Sequence, residues 1–255
     1  MPKSSRAPPI PADLERTAIL LDVDGTILDL APTPREVFVP HALRETLGRL
    51  LERSRGGVAF VSGRPVSDLD LIFSPLQLPA IGGHGAELRS TAGETARARL
   101  ALLDLDVKRR FAAIAEAGPG IILEDKGYSL ALHYRLAPDK ESLVREAAAR
   151  ICLDLNGETL ELLPGKLVVE IKQRGTTKAT AVRELMTLQP FRGRQPIFIG
   201  DDVTDLSVFA IMPELKGIGI SVGRTVTGVD FCLDEPADVR RWLDEMSRGG
   251  AFVAP

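Results

Sequence analysis

Residues 18–26, Ala-Ile-Leu-Leu-Asp-Val-Asp-Gly-Thr, constrain this chain more than any other stretch. An apolar run stops abruptly at two aspartates one residue apart, Asp22 and Asp24, followed by Gly25-Thr26. A short apolar run bounded by a turn signal predicts a buried strand, and one apolar on both faces belongs in a parallel sheet. Ligands of open α/β sheets bind beyond the carboxyl ends of such strands. Two carboxylates placed there are costly to desolvate unless a cation or a donor compensates them. The same residues also suit an Asx-type turn without chemistry, so the rest of the chain has to decide.

The pattern repeats. Strands are predicted at 58–61, near 79–82, at 196–199 and 217–222, with a short one at 231–233. Between them lie helices: one after Pro40 carrying Leu43, Leu47, Leu50 and Leu51, one opened by Gly175-Thr-Thr-Lys178 and running through Leu185, and others at 66–73, 206–211 and 236–246. Strands alternating with helices imply right-handed crossovers and a parallel sheet, a Rossmann-like α/β fold. The segment between 101 and 172 differs. A helix is predicted over 101–116, with Leu102, Leu105, Phe111 and Ile114 as its apolar members. Tyr128, Leu130, Leu132 and Tyr134 alternate with Ser129, Ala131, His133 and Arg135, the period of an antiparallel strand with one buried face. A second helix from 138 and strands at 158–162 and 167–171 complete an inserted α+β domain, 101–172, within a core of 1–100 and 173–255.

Composition excludes some functions. The 255 residues carry a net charge of −3 with no long basic run, so nothing favours nucleic acid or an anionic membrane. No apolar segment approaches the ~20 residues of a membrane helix. Residues 1–12 lack a signal peptide's apolar core and read as a frayed tail. Cys152 and Cys232 read as small buried hydrophobes of a reduced, cytoplasmic protein.

Four motifs then occur in order, each at a strand end or a helix start: Asp22-Val-Asp24-Gly-Thr, Ser62-Gly-Arg64, Lys178, and Gly200-Asp201-Asp-x-x-Asp205. In this combination the chain resembles the haloacid dehalogenase superfamily of phosphatases. Gly83-His84-Gly-Ala-Glu87, Glu124-Asp-Lys126-Gly, Ser129-Leu-Ala-Leu-His133-Tyr-Arg135 and Pro164-Gly-Lys166-x-Val-Val-Glu170 extend the likeness to trehalose-6-phosphate phosphatases, over residues 18–245. One departure stands at Leu206, where that family usually has Glu.

The resemblance implies an enzyme in which Asp22 is the nucleophile and forms an aspartyl-phosphate. Asp24 would act as general acid and then base. Ser62 and Lys178 would hold the phosphoryl oxygens, and Asp205 would orient Lys178 or a metal-bound water. Mg²⁺, suited to an all-oxygen site, would bind the Asp22 carboxylate, the Asp24 main-chain carbonyl and Asp201. Glu124, Lys126 and Glu170 would grip the glucose unit remote from the phosphate, with Arg64, His84 and His133 as further substrate-binding candidates. The expected protein is a monomer acting on a small sugar phosphate, with a separate trehalose-6-phosphate synthase as a functional partner. Opening and closing of the inserted domain is expected at crossings near 88–103 and 172–175, with Gly175 as a flexible point. Two alternatives remain open: another sugar phosphatase or phosphohexomutase of the superfamily, and a non-catalytic sugar-phosphate-binding module.

Overall fold

The structure, a computed structural model, describes residues 8–31, 36–155, 160–165 and 167–249. It separates into two units, one of residues up to 97 together with those from 177 on, the other of residues 98–176. These boundaries lie within four residues of the expected 100/101 and 172/173.

The chain runs β1 (Thr17–Leu21), α1 (His41–Arg53), β2 (Val58–Val61), α2 (Val66–Phe73), β3 (Ala80–Gly82), β4 (Glu87–Arg89) and β5 (Arg97–Ala98). Then follow α3 (Leu105–Glu116), β6 (Ile122–Asp125), β7 (Ser129–His133), α4 (Glu141–Asp154), β8 (Leu160–Gly165) and β9 (Val168–Gln173). It closes with α5 (Lys178–Leu185), β10 (Gln195–Gly200), α6 (Leu206–Ile211), β11 (Ile218–Val222), β12 (Phe231–Leu233) and α7 (Pro236–Arg248).

In the first unit the sheet order is β12-β11-β10-β1-β2-β3-β4-β5, so the strand that ends in Asp22 is central. β1 pairs in parallel with β10 (Ile19 opposite Ile197) and with β2 (Ile19 opposite Val58). All pairings from β12 to β3 are parallel. β4 turns back antiparallel to β3 through the tight turn Gly83–Gly85. Both faces of β1 are apolar because both are covered. Ile19 and Leu21 join Leu43, Leu47 and Leu50 of α1 and Val239, Trp242 and Leu243 of α7. Ala18 and Leu20 join Ala181, Val182 and Leu185 of α5 and Val208 and Phe209 of α6. Such a two-layered burial explains the unbroken apolar run in the sequence.

The expected frayed tail is corrected from Pro8 onward. The Trp242 indole donates to the Pro8 carbonyl at 2.9 Å, and Ile10 packs against the core. Residues 1–7 and 32–35 lie outside the described residues.

The second unit is an antiparallel sheet, β6-β7-β9-β8, with α3 and α4 on one face. Leu130, Leu132, Val169 and Ile171 point into that apolar layer. Helix α3 starts four residues later than expected. Asp104 caps it, its carboxylate accepting from the Asp106 amide at 2.7 Å, which fixes the first turn. Leu102, before the cap, and Leu105, off the helical face of Phe111, are exposed, and Leu103 and Val107 stand beside Phe111 and Ile114. Leu167 sits in the turn before β9 at φ 60°, and residues 158, 159 and 166 of the expected motifs lie outside the described residues. At the end of this unit Gln173 donates to the Ala101 carbonyl and Arg174 to the Leu160 carbonyl, while Gly175 adopts φ 94°. Among the described residues no helix is long and apolar enough to cross a membrane.

Candidate active site

The parallel register delivers the motifs to one edge of the first unit. Asp22 follows the last residue of β1, Ser62 follows β2, and Asp201 follows β10, the two strands that flank β1. Lys178 is the first residue of α5, whose cap Thr177 and third residue Thr180 bond each other reciprocally, so the lysine's backbone is fixed.

Asp22, Lys178 and Asp205 form a buried line. The Lys178 ammonium donates to Asp22 Oδ1 at 2.8 Å and to Asp205 Oδ1 at 2.7 Å. The other Asp205 oxygen accepts the amides of Asp201 and Asp202, both at 3.0 Å. Asp205 thus has its acceptor capacity engaged, and its place is to hold Lys178 and the turn that carries Asp201. The Thr26 hydroxyl lies 2.7 Å from Asp201 Oδ1 and 3.2 Å from Asp22 Oδ2, so its single proton serves the two carboxylates. Gly25, at φ 85°, lets Asp201 approach: a Cβ there would fall on the Asp201 carboxylate.

The charges do not cancel. Asp22, Asp201 and Asp205 bring three carboxylates, with oxygens within 4.8 Å of one another, against one ammonium. Burial, together with Asp205 and Asp201, pushes the Asp22 carboxyl well above the usual carboxylate range despite Lys178. Burial also raises Asp201, against the donation from Thr26. Lys178 is held above an ordinary lysine because Asp205 and Asp22 outweigh the burial that opposes its charge. An all-oxygen, net-negative cluster fits a hard divalent cation such as Mg²⁺. Asp22 and Asp201 are the carboxylates with acceptor capacity to spare. The Asp24 carboxylate is not part of the cluster; Arg64 holds it in a fork, with bonds of 2.6 and 2.7 Å.

The remaining candidates of this unit line up along the same edge. The Arg64 amide donates to Ser62 Oγ at 3.1 Å, and the Ser62 carbonyl accepts the His84 amide at 3.1 Å. His84 sits at φ 53° with its ring against Gly63, where a Cβ would collide with it. Glu87 accepts the Val66 amide at 2.7 Å and so caps α2, which carries the Ser62–Arg64 turn at its mouth. Three participants were not assigned from the sequence: Thr26, Glu87 and Arg224, whose Nε donates to the Asp201 carbonyl at 3.1 Å. Thr26 and Glu87 stand inside the recognised motifs, which was the available signal; nothing in the sequence marks Arg224.

A second cluster lies in the second unit, on the sheet face opposite the apolar layer. Glu124 of β6 and Glu170 of β9 both stand opposite Ala131 of β7. His133 Nε2 is 2.9 Å from Glu124, while Glu170 accepts from Ser129 at 2.6 Å and pairs with Lys126 at 3.5 Å. The structure therefore gathers the candidates as two groups, one in each unit.

Known proteins bear on this arrangement. A family model for trehalose-phosphatase matches residues 20–230. A trehalose-6-phosphate phosphatase of Escherichia coli is 38% identical over 228 residues, 89% of this chain and 85% of the relative. Among solved structures, the C-terminal domain of the Candida albicans trehalose-6-phosphate phosphatase superposes with a TM-score of 0.79 at 21% identity, covering 92% of each chain. A Bacteroides thetaiotaomicron phosphatase of the haloalkanoate (HAD) enzyme superfamily gives 0.58 at 16% identity, covering 95% of this chain and 98% of that one. The fold is thus that of the superfamily, and the length and identity of the match establish that the chain belongs to the trehalose-phosphatase family.

Proposed function

We propose that this phosphatase hydrolyses trehalose 6-phosphate to trehalose and inorganic phosphate through an aspartyl-phosphate on Asp22, with Mg²⁺ as cofactor. The observation that carries the reading is the Asp22–Lys178–Asp205 line with Asp201 and Thr26 beside it. An Asp22 oxygen attacks phosphorus while the bond to the sugar oxygen breaks, and Asp24 supplies that oxygen with a proton. Water then attacks the aspartyl-phosphate, Asp24 takes the water's proton, and Asp22 is regenerated as phosphate leaves. Arg64 occupies one acceptor site on each Asp24 oxygen and leaves a second on each for the proton. Lys178 and Ser62 hold the phosphoryl oxygens, Lys178 as a fixed point charge. Asp22, Asp201 and the Asp24 carbonyl would hold Mg²⁺, which would supply charge to offset the repulsion between the anionic nucleophile and a phosphate dianion. Asp205 keeps Lys178 in place.

The sugar is assigned to the inserted unit. Glu124, Lys126 and Glu170 offer acceptors and a donor for vicinal hydroxyls on a polar, half-buried sheet face, chemistry suited to a neutral disaccharide. Arg64 and His84 act near the phosphate end, Arg64 through Asp24.

Phosphate release should be measured with Mg²⁺ on trehalose 6-phosphate, glucose 6-phosphate, sucrose 6-phosphate and mannosylglycerate phosphate. The expected result is a strong preference for trehalose 6-phosphate that Asp22→Asn abolishes. Preference for another sugar phosphate refutes the substrate; release unaffected by Asp22→Asn refutes the chemistry.

A further inference from the structure

We propose that His133 is a positioning residue of the sugar-binding face, holding the Glu124 carboxylate in the orientation in which it accepts substrate hydroxyls. The inference rests on the assignment of Glu124, Lys126 and Glu170 to sugar binding made above.

The sheet register sets the problem that His133 solves. Glu124 and Glu170 flank Ala131 in one row across three strands, and Ala131 ends at its Cβ. Nothing on the middle strand therefore reaches either carboxylate from between them, and each has to be held from a neighbouring row. Glu170 is held from the Ser129 side, by that hydroxyl at 2.6 Å and by Lys126. Glu124 lies on the edge strand β6, where a glutamate side chain has three torsions to fix. Its one hydrogen bond among the described residues comes from the opposite side, from His133 Nε2 at 2.9 Å. His133 is two residues beyond Ala131 on β7, hence on the same face, and its side chain is 27% exposed, as is that of Glu124. Both groups are accessible to a ligand, and neither is packed as a core residue.

The protonation state follows. Burial alone would raise Glu124, but the His133 bond and the nearby Lys126 charge outweigh it and hold the acid below its usual value. An ionised carboxylate has no proton to give, so Nε2 carries the hydrogen and donates. The ring thereby occupies one lone-pair direction of Glu124 and leaves the others directed away from the sheet. A carboxylate fixed before the ligand arrives loses less freedom on binding, so the benefit falls on affinity rather than on the chemical step.

The test is steady-state hydrolysis of trehalose 6-phosphate by His133→Ala, His133→Asn and His133→Gln, each also combined with Glu124→Gln. For His133→Ala, KM should rise roughly three- to ten-fold, with kcat within about two-fold, the scale of one hydrogen bond to a charged group at a partly exposed site. Glutamine, whose amide nitrogen reaches the place of Nε2, should restore most of the loss; asparagine, one methylene shorter, should not. In the Glu124→Gln background His133→Ala should add almost nothing. Trehalose binding measured by calorimetry should weaken in parallel with KM. An unchanged KM for His133→Ala, an equal effect in both backgrounds, or a loss confined to kcat would overturn the proposal. Wild-type protein inactive on trehalose 6-phosphate would instead overturn the substrate assignment on which it rests.

Discussion

Replacing Lys178 by methionine keeps most of the side-chain volume and removes the only ammonium among three carboxylates. In the wild type Lys178 is 3% exposed, and its partners Asp22 and Asp205 are 6% and 0% exposed. Breaking a buried pair from one side typically costs about 3–5 kcal/mol, because the remaining charge stays buried without compensation. For a chain of this size about 1 kcal/mol corresponds to roughly 2–4 °C in Tm, so the variant should melt ~6–20 °C lower. Phosphate release should fall by at least ~100-fold, since Lys178 is also the proposed donor to the phosphoryl oxygens. Thermal unfolding followed by circular dichroism in EDTA supplies the first number. Adding Asp205→Asn should return part of the stability by removing one of the two stranded charges. The pH dependence has a definite sign. Asp22 is raised in the folded protein, so between its unfolded and folded pKa values the folded state binds the extra proton. Its burial therefore costs stability above that window, and the cost is relieved as pH falls through it; the Lys178→Met deficit should shrink as pH is lowered from 8 towards 5. A Tm loss below ~2 °C, or a deficit that grows on acidification, would refute the charge balance described for this site.

Two further outcomes follow from the same cluster. Mg²⁺ at about 100 times its dissociation constant should stabilise the protein by ~2.7 kcal/mol in thermal unfolding, and an unshifted Tm in saturating Mg²⁺ would count against a cation at Asp22 and Asp201. Gly25→Ala should lose both that Mg²⁺-induced shift and phosphate release, because φ 85° and the Asp201 carboxylate each exclude a Cβ; a variant with normal Mg²⁺ response would show that Asp201 has room to move.

The parallel core was legible because its signals are local: apolar runs that stop at Asp22, Ser62 and Gly200 need no partner to be recognised as buried strands. The inserted unit was legible in type but less so in detail. Leu102 and Leu105 stand nine and six residues before Phe111, off its helical face, whereas Leu103 and Val107 stand eight and four before it at helical spacing, and Asp104 sets the start of the helix. What the sequence withheld was pairing across long separations. Thr26 reads as part of a turn, and its bond to Asp201 spans 175 positions. Arg64 reads as a cation free to meet substrate, but the register of β1 and β2 brings it to Asp24. The Glu124–His133 pair is local, nine residues apart across a hairpin, but its geometry emerges only once the strand register is known.

The order of the central strands also shapes how the molecule is made. β1 needs β10 on one flank, and Leu21 pairs with Ile199 only after the whole of residues 98–176 has left the ribosome. At roughly 5–20 residues per second, that flank of a strand apolar from Ala18 to Leu21 stays uncovered for about 9–36 s of synthesis. Residues 98–176, whose sheet and helices pair only with one another, are all synthesised inside that interval. Until β10 arrives, that flank of β1 is an open strand edge, the kind of surface at which edge-to-edge aggregation starts.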